Sequence, residues 1–277
     1  MGAMSRPFVK MNGLGNDFVV VEARTDPFDP TEDEARAICD RKTGVGCDQL
    51  IAIGPSGRAD AFVRFWNADG GEIDACGNGS RCAAWLLMQA SGRDEATLET
   101  KAGLLHAKKA GEGLVTVDMG PPGLDWTDIP LEEEMDTRGI ELQVGPIDDP
   151  VMHTPGCVSM GNPHVVFFVP DAEAAPVDKV GPMIEHHRLF PERVNVGFAQ
   201  IKAPDRIRLR VWERGAGLTK ACGTGACAAV VAAHRRLLCG RSATVETDGG
   251  ELQIDWRLSD NHVLMTGPVA VEFTGQL

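Results

Sequence analysis

The sequence predicts an α/β chain of the α+β kind. It reads as two pseudo-symmetric halves from an internal duplication, each a mixed sheet wrapped around one central helix, with the active site in the cleft between them. Three observations carry that expectation. The signature Ala-Cys-Gly-x-Gly occurs twice, at 75–79 and 221–225, an offset of 146 residues. The same offset pairs Arg64 with Arg210, Trp66 with Trp212, Gly71 with Gly217, Ala83 with Ala229, and Gly15-Asn16 with Gly161-Asn162. One extra residue then carries the match from Ala96-Thr97-Leu98-Glu99-Thr100 to Ala243-Thr244-Val245-Glu246-Thr247, and from Gly120-Pro121 to Gly267-Pro268. Arrays of short repeats have periods of roughly 20–50 residues, so two long copies mean two homologous halves.

The elements follow in order. Residues 8–11 read as a strand, 12–16 as a glycine-rich turn and 18–22 as a second strand, a hairpin pattern. Residues 31–40 read as a short helix, with Thr31 as N-cap and Glu34 three positions on to complete a capping box. Strands are expected over 50–53 and 61–66. Residues 77–90 are helical and apolar on all sides, which implies burial in the middle of a half. Residues 223–238 repeat that pattern, and Gly92 and Gly240 stand where C-caps are expected. Other segments read as short strands between Gly, Pro or Asp. The acidic, proline-containing stretch 121–150 reads as the linker region, with Glu132-Glu133-Glu134 solvated.

Composition narrows the function. A chain of 277 residues, 43% hydrophobic, is long enough for two domains with a core each. A net charge of −13 argues against nucleic acid or an anionic membrane as the main partner. No apolar run approaches a membrane span. The start, Met1-Gly2-Ala3-Met4-Ser5, lacks the features of a secretory signal; Met4 reads as the natural start, with residues 1–3 an expression scar. The expected location is the cytoplasm, where thiols stay reduced. None of the eight cysteines forms a Cys-x-x-Cys pair, so neither a metal site nor a disulfide framework is expected. Cys39, Cys47, Cys82, Cys157, Cys227 and Cys239 read as ordinary core residues.

Cys76 and Cys222 differ from these because each opens a helix. A helix N-terminus carries unpaired N–H groups and about half a positive charge, which favours anions and lowers a local thiol toward the thiolate. Gly77, Gly79, Gly223 and Gly225 let another molecule approach the backbone. A carboxylate accepting N–H bonds from Gly77-Asn78 and Gly223-Thr224 would set its neighbouring carbon between two sulfurs. One thiolate would take a proton from that carbon while the opposite thiol returns one to the other face. Around this constant core the matched polar residues diverge: Asn67 against Glu213, Asn78 against Thr224, Gln49 against Asn195. Arg214 offers a donor fork suited to a carboxylate, and Glu213 an acceptor for an ammonium. Asn16, Asn67, Asn162 and Asn195 each sit where a strand meets a turn. His164, which aligns with Phe18, is a difference between the halves beside the same region.

These residues resemble the diaminopimelate epimerase family over nearly the whole chain. The most specific pieces are Met11-Asn12-Gly13-Leu14-Gly15-Asn16-Asp17-Phe18, Phe65-Trp66-Asn67-Ala68-Asp69-Gly70 and Ala75-Cys76-Gly77-Asn78-Gly79-Ser80-Arg81-Cys82. Met160-Gly161-Asn162-Pro163-His164, Pro191-Glu192-Arg193-Val194-Asn195 and Glu213-Arg214-Gly215-Ala216-Gly217, followed by Thr219-Lys220-Ala221-Cys222-Gly223-Thr224-Gly225-Ala226-Cys227, complete the set. The resemblance implies a cofactor-independent interconversion of LL- and meso-diaminopimelate on the route to lysine and cell-wall precursors. It implies Cys76 and Cys222 as the acid/base pair, supported by His164 and Glu213. It assigns substrate binding to Asn16, Gln49, Asn67, Gly77, Asn78, Asn162, Asn195, Glu213, Arg214, Gly223 and Thr224. Leu218, Lys220 and Asn12 depart from the usual pattern without touching those positions.

The halves are placed at 6–122 and 123–267, and the family's last strand, here 268–277, can return to the first half. Expected partners are a small-molecule substrate and at most a second copy of the chain, with no nucleic acid, membrane, cofactor or metal. Two other readings stay open: a proline or hydroxyproline racemase on the same two-cysteine plan, and a non-catalytic binding or redox protein.

Overall fold

The computed structural model describes residues 6–74 and 76–277. Ala75 of the first signature and the start Met1–Ser5, including Met4, lie outside the described residues. The fold is mixed α+β. The chain divides into two compact units, one running to Asp118 and taking in Thr266–Leu277, the other spanning Met119–Met265.

In the first unit, β1 (Pro7–Gly13) and β2 (Asn16–Glu22) form an antiparallel hairpin. The expected five-residue turn is tighter than the sequence suggests, because the strands run up to Gly13 and resume at Asn16. Leu14 and Gly15, at φ 60° and 80°, close the hairpin alone, and two positive φ values match the right-handed twist of the strands. Leu14 accepts this strain for burial. The helix α1 (Glu32–Cys39) carries both bonds of the capping box. The Glu34 amide donates to Thr31 Oγ1 (3.3 Å) and the Thr31 amide to Glu34 Oε2 (2.8 Å), worth about 1 kcal/mol.

After α1 come β3 (Gln49–Gly54), β4 (Ala61–Asn67), the short β5 (Glu72–Ile73) and α2 (Gly77–Ser91). Then follow β6 (Glu95–Thr100), β7 (Gly103–Gly111) and β8 (Leu114–Asp118). The pairs β2–β3 and β4–β6 are parallel, as helical crossovers require; β1–β2, β3–β4, β6–β7 and β7–β8 are antiparallel. α2 touches β1, β2, β3, β4, β6, β7 and β8, so it is the central helix of the unit. Gly92 caps it in the left-handed conformation at φ 69°.

The second unit repeats this plan with β11 (Gly156–Ser159), β12 (Pro163–Phe168), α3 (Val177–Glu185), β13 (Asn195–Ala203), β14 (Arg206–Glu213) and β15 (Gly217–Thr219), after the short pair β9 (Gln143–Val144) and β10 (Met152–His153). α4 (Gly223–Arg235), β16 (Ser242–Thr247) and β17 (Gly250–Trp256) complete the parallel to the first unit. The registers repeat too. Phe18 pairs with Gln49 and His164 with Asn195; Phe65 pairs with Ile73 and Val211 with Thr219. The chain ends in β18 (Val263–Pro268) and β19 (Ala270–Gln276), the latter antiparallel to β1.

Two expectations are corrected. α4 stops at Arg235 rather than 238, and Gly240 does not cap it; its amide bonds Pro204 O instead. Leu237, at φ 61°, fills the left-handed position, with its amide on His234 O and the Leu238 amide on Ala233 O. Those two bonds are a Schellman motif with leucine where glycine is usual. The stretch 121–150 is not a linker. Ile129, Leu131, Ile140 and Leu142 are buried in the core of the second unit with Val165, Phe167 and Phe198, while Glu132, Glu133 and Glu134 are exposed as expected. Charge dominated the reading of that stretch and hid its spaced apolar anchors.

Candidate active site

In the first unit the candidate residues gather where β2, β3 and β4 meet the start of α2. Cys76 is the N-cap of α2, and its sulfur accepts the Gly79 amide at 3.4 Å. Asn78 Nδ2 donates to Asn16 Oδ1 (2.8 Å), and Asn16 Nδ2 donates to Asp48 Oδ2 (3.1 Å). Gly13 permits this approach, since a Cβ there would lie 3.1 Å from Asn78 O and from Cys82 Sγ. Gln49 and Asn67 are cross-strand partners, with Gln49 Nε2 donating to Asn67 Oδ1 at 2.9 Å. Gln49 Oε1 is then a buried acceptor with no protein donor. Buried polar atoms are almost always paired, so this oxygen suits an N–H group brought by a ligand.

In the second unit the corresponding residues meet the start of α4. Asn162 Nδ2 donates to Thr224 Oγ1 (3.3 Å), and its Oδ1 faces His164 Nε2 at 3.0 Å. Asn195 is buried, with Nδ2 on Pro163 O and Oδ1 accepting the Arg214 amide, both at 2.9 Å. The Arg214 guanidinium is exposed and bonded to Glu192 O. Glu213 and Arg214 are not partners of each other; Glu213 accepts from Thr219 Oγ1, and Cys222 Sγ lies 3.6 Å from Thr224 Oγ1. Gly225 lies against the sulfur, and a Cβ there would sit 3.2 Å from Cys222 Sγ.

At Cys222 the structure corrects the expectation that its helix end draws it toward the thiolate. Burial, then the negative charge of Glu213, push the Cys222 thiol well above its ordinary value, against weaker help from Thr224 and the Gly225 amide. Burial raises the Glu213 carboxyl as well, although the bond from the Thr219 hydroxyl opposes it. Cys222 is therefore a thiol in this environment. His164 is fully buried, and that burial, with the nearby Arg214 charge, lowers it to about 3. It is neutral at physiological pH and acts as an oriented dipole rather than a cation.

Sequence reasoning passed over Asp48, Arg81 and Thr219. Arg81 is completely buried and donates to Asn78 Oδ1 at 2.9 Å. Buried charge is rare without a reason, yet in the sequence Arg81 is one arginine in a helix.

Comparison with known proteins decides the family. The sequence profile described as diaminopimelate epimerase matches residues 8–124 and 156–272. The chain belongs to the diaminopimelate epimerase family. It is 69% identical over 275 residues to a diaminopimelate epimerase of Phenylobacterium zucineum, covering 99% of both chains. It is 62% identical over 286 residues to the one of Caulobacter vibrioides, covering 99% of this chain and 98% of the relative. Its activity is that of diaminopimelate epimerase, an isomerase of lysine biosynthesis. Among solved structures, a PhzF-family phenazine biosynthesis protein of Bacillus anthracis matches with TM-score 0.69 at 15% identity over 99% of both chains. A probable proline racemase of Agrobacterium radiobacter matches with TM-score 0.65 at 19% identity, over 98% of this chain and 92% of that one. At such identities these two establish the shared fold alone.

Proposed function

We propose that this epimerase interconverts LL- and meso-2,6-diaminopimelate by a two-base exchange at one α-carbon, with Cys76 and Cys222 as the bases. The observation that carries this reading is positional: each cysteine is the N-cap of the central helix of its unit. N–H groups of Gly77-Asn78 and Gly223-Thr224 donate to the α-carboxylate and stabilise the carbanion beside it. Cys222, the thiol by environment, carries the proton to be delivered. Cys76, whose sulfur accepts a backbone N–H, acts as thiolate and removes the α-proton. One S–H bond breaks as another forms, so the two cysteines leave the reaction with exchanged roles. Reversal of the reaction restores them.

Asn16, Asn67, Asn78, Asn162, Asn195 and Arg214 bind the polar groups of the substrate, and Gln49 Oε1 accepts one of its N–H groups. Glu213 adjusts Cys222 by charge, and His164 orients Asn162. The reading places the enzyme in the cytoplasm as a homodimer acting without cofactor. No helix among the described residues is long and apolar enough to cross a membrane.

The test is turnover in D2O with LL-diaminopimelate beside L-proline. Deuterium wash-in at the α-carbon of diaminopimelate is expected. Positioned acid–base groups contribute roughly 100- to 10,000-fold, and Cys76→Ala or Cys222→Ala is expected to lose epimerisation on that scale. Activity on proline alone, or full epimerisation by both single variants, overturns the reading.

A further inference from the structure

Asn16 and Asn162 occupy matched positions, yet their side-chain amides face opposite ways. Asn16 turns its oxygen to the residue at the start of the central helix, accepting from Asn78 Nδ2 at 2.8 Å. Asn162 turns its nitrogen there, donating to Thr224 Oγ1 at 3.3 Å. The difference lies behind each amide. Behind Asn162 stands His164 Nε2. Behind Asn16 stands Asp48 Oδ2, 3.1 Å from Asn16 Nδ2, and a carboxylate can only accept.

Asp48 is itself held from several directions. Its Oδ2 also accepts the Asp17 amide at 3.1 Å, and its own amide donates to Asp17 Oδ1 at 3.0 Å. Arg41 bonds both carboxylates, with NH2 2.7 Å from Asp48 Oδ1 and 2.7 Å from Asp17 Oδ1. Lys10, almost fully buried, pairs with Asp17 at 2.6 Å. Burial pushes the Asp17 carboxyl up, but the bonds and charges of Arg41 and Lys10 outweigh it and hold it far below its ordinary value.

From this anchor a directed chain runs inward: Arg81 donates to Asn78 Oδ1, Asn78 to Asn16 Oδ1, and Asn16 to Asp48. A cation that can only donate stands at one end and an anion that can only accept at the other. Neither amide can turn over without facing donor to donor or acceptor to acceptor.

We propose that Asp48 is a positioning residue that sets the amide orientation of Asn16, and through it Asn78, for substrate binding. It acts through Asn16 and does not touch substrate. The proposal rests on the reading that Asn16 binds substrate. Without Asp48 the Asn16 amide is held from the Asn78 side alone and its Nδ2 loses its acceptor, so the donor and acceptor a substrate meets are less firmly placed.

The test is a double-variant cycle on the full-length enzyme, reading kcat and KM for LL-diaminopimelate. The Asp48 side chain is 39% exposed, so Asp48→Ala leaves the core intact; Asp48→Asn, of the same shape, is carried through the same cycle. With Asn16 present, Asp48→Ala is expected to lower kcat/KM about tenfold, mainly through KM, since a polar group left without its partner weakens the site that it helps to build. In an Asn16→Ala background the same change is expected to cost less than about twofold, because partners in one network are not additive. Equal losses in both backgrounds, or none in the first, overturn the proposal while leaving substrate binding by Asn16 intact. An Asn16→Ala enzyme with unchanged kcat/KM overturns both.

Discussion

Glu213 accepts the Thr219 hydroxyl and stands close enough to Cys222 for its negative charge to raise the thiol. The three residues come from the end of β14, the end of β15 and the cap of α4. A thiol facing a carboxylate keeps its proton, because ionising it would set two negative charges side by side in a buried place. That charge outweighs the pull of the helix end on Cys222.

Glu213→Gln removes that charge while leaving an oxygen for Thr219. The Cys222 thiol is expected to ionise at lower pH, since the negative charge is the second largest influence raising it. The check is the pH dependence of iodoacetamide labelling at Cys222, read by mass spectrometry. Its midpoint should move down, and epimerase activity should fall at least about tenfold, the lower part of what a positioned acid–base group contributes. An unmoved midpoint shows that Glu213 does not control the thiol.

Gly225→Ala puts a methyl 3.2 Å from Cys222 Sγ, Cys222 Cβ and Val211 Cγ2. Overpacking of this kind costs about 1–3 kcal/mol. The sulfur is the most easily displaced of the three, so kcat is expected to fall about tenfold or more with the fold retained, as sub-ångström misplacement of a reacting atom is costly. Measuring kcat and Tm on one preparation decides it. A lower Tm with normal kcat would mean that the strain goes into Val211 instead.

Leu237→Gly should stabilise the enzyme. Leu237 is 90% exposed and sits at φ 61°, so leucine pays about 1–2 kcal/mol for the left-handed conformation and recovers little by burial. Glycine adopts it freely but gains entropy in the unfolded chain, which leaves a net gain of about 0.5–1 kcal/mol. Chemical denaturation is the measure: a higher midpoint at unchanged slope, with activity unaltered.

Acid should weaken the second unit through His164. Its folded value, about 3, lies below the ordinary 6.5. Above pH 6.5 both states are neutral and the group contributes no pH dependence. As pH falls from about 6.5 toward 3 the unfolded chain takes up the proton and the folded chain does not, so stability declines with acid. His164→Phe, which copies Phe18 at the matched position, should remove that part of the slope. The difference in Tm between wild type and variant from pH 7 to pH 4 tests this; parallel curves would falsify it.

Local, repeating features were legible before any coordinates. The hairpin at Leu14-Gly15, the capping box at Thr31 and Glu34, and the two cysteines opening apolar helices each depend on residues close together in the chain. What failed was of two kinds. Glycine is the usual cap, which points to Gly240 as the end of α4, whereas Leu237 carries it under strain. Along 121–150 the charges suggest a linker, whereas burial depends on the spaced residues Ile129, Leu131, Ile140 and Leu142.

The duplication, the α+β class, the family and the two helix-capping cysteines are all readable from the amino-acid order, because each is written as a pattern along the chain. The tertiary structure alone decided that Cys222 is a thiol, that His164 is neutral, and that the matched amides of Asn16 and Asn162 point opposite ways. Those properties are set by burial and by the charge of the nearest group, and that group comes from elsewhere in the chain: Glu213 for Cys222, Asp48 for Asn16. A charge acting over a few ångströms leaves no periodic trace in a sequence, so only the fold reveals it.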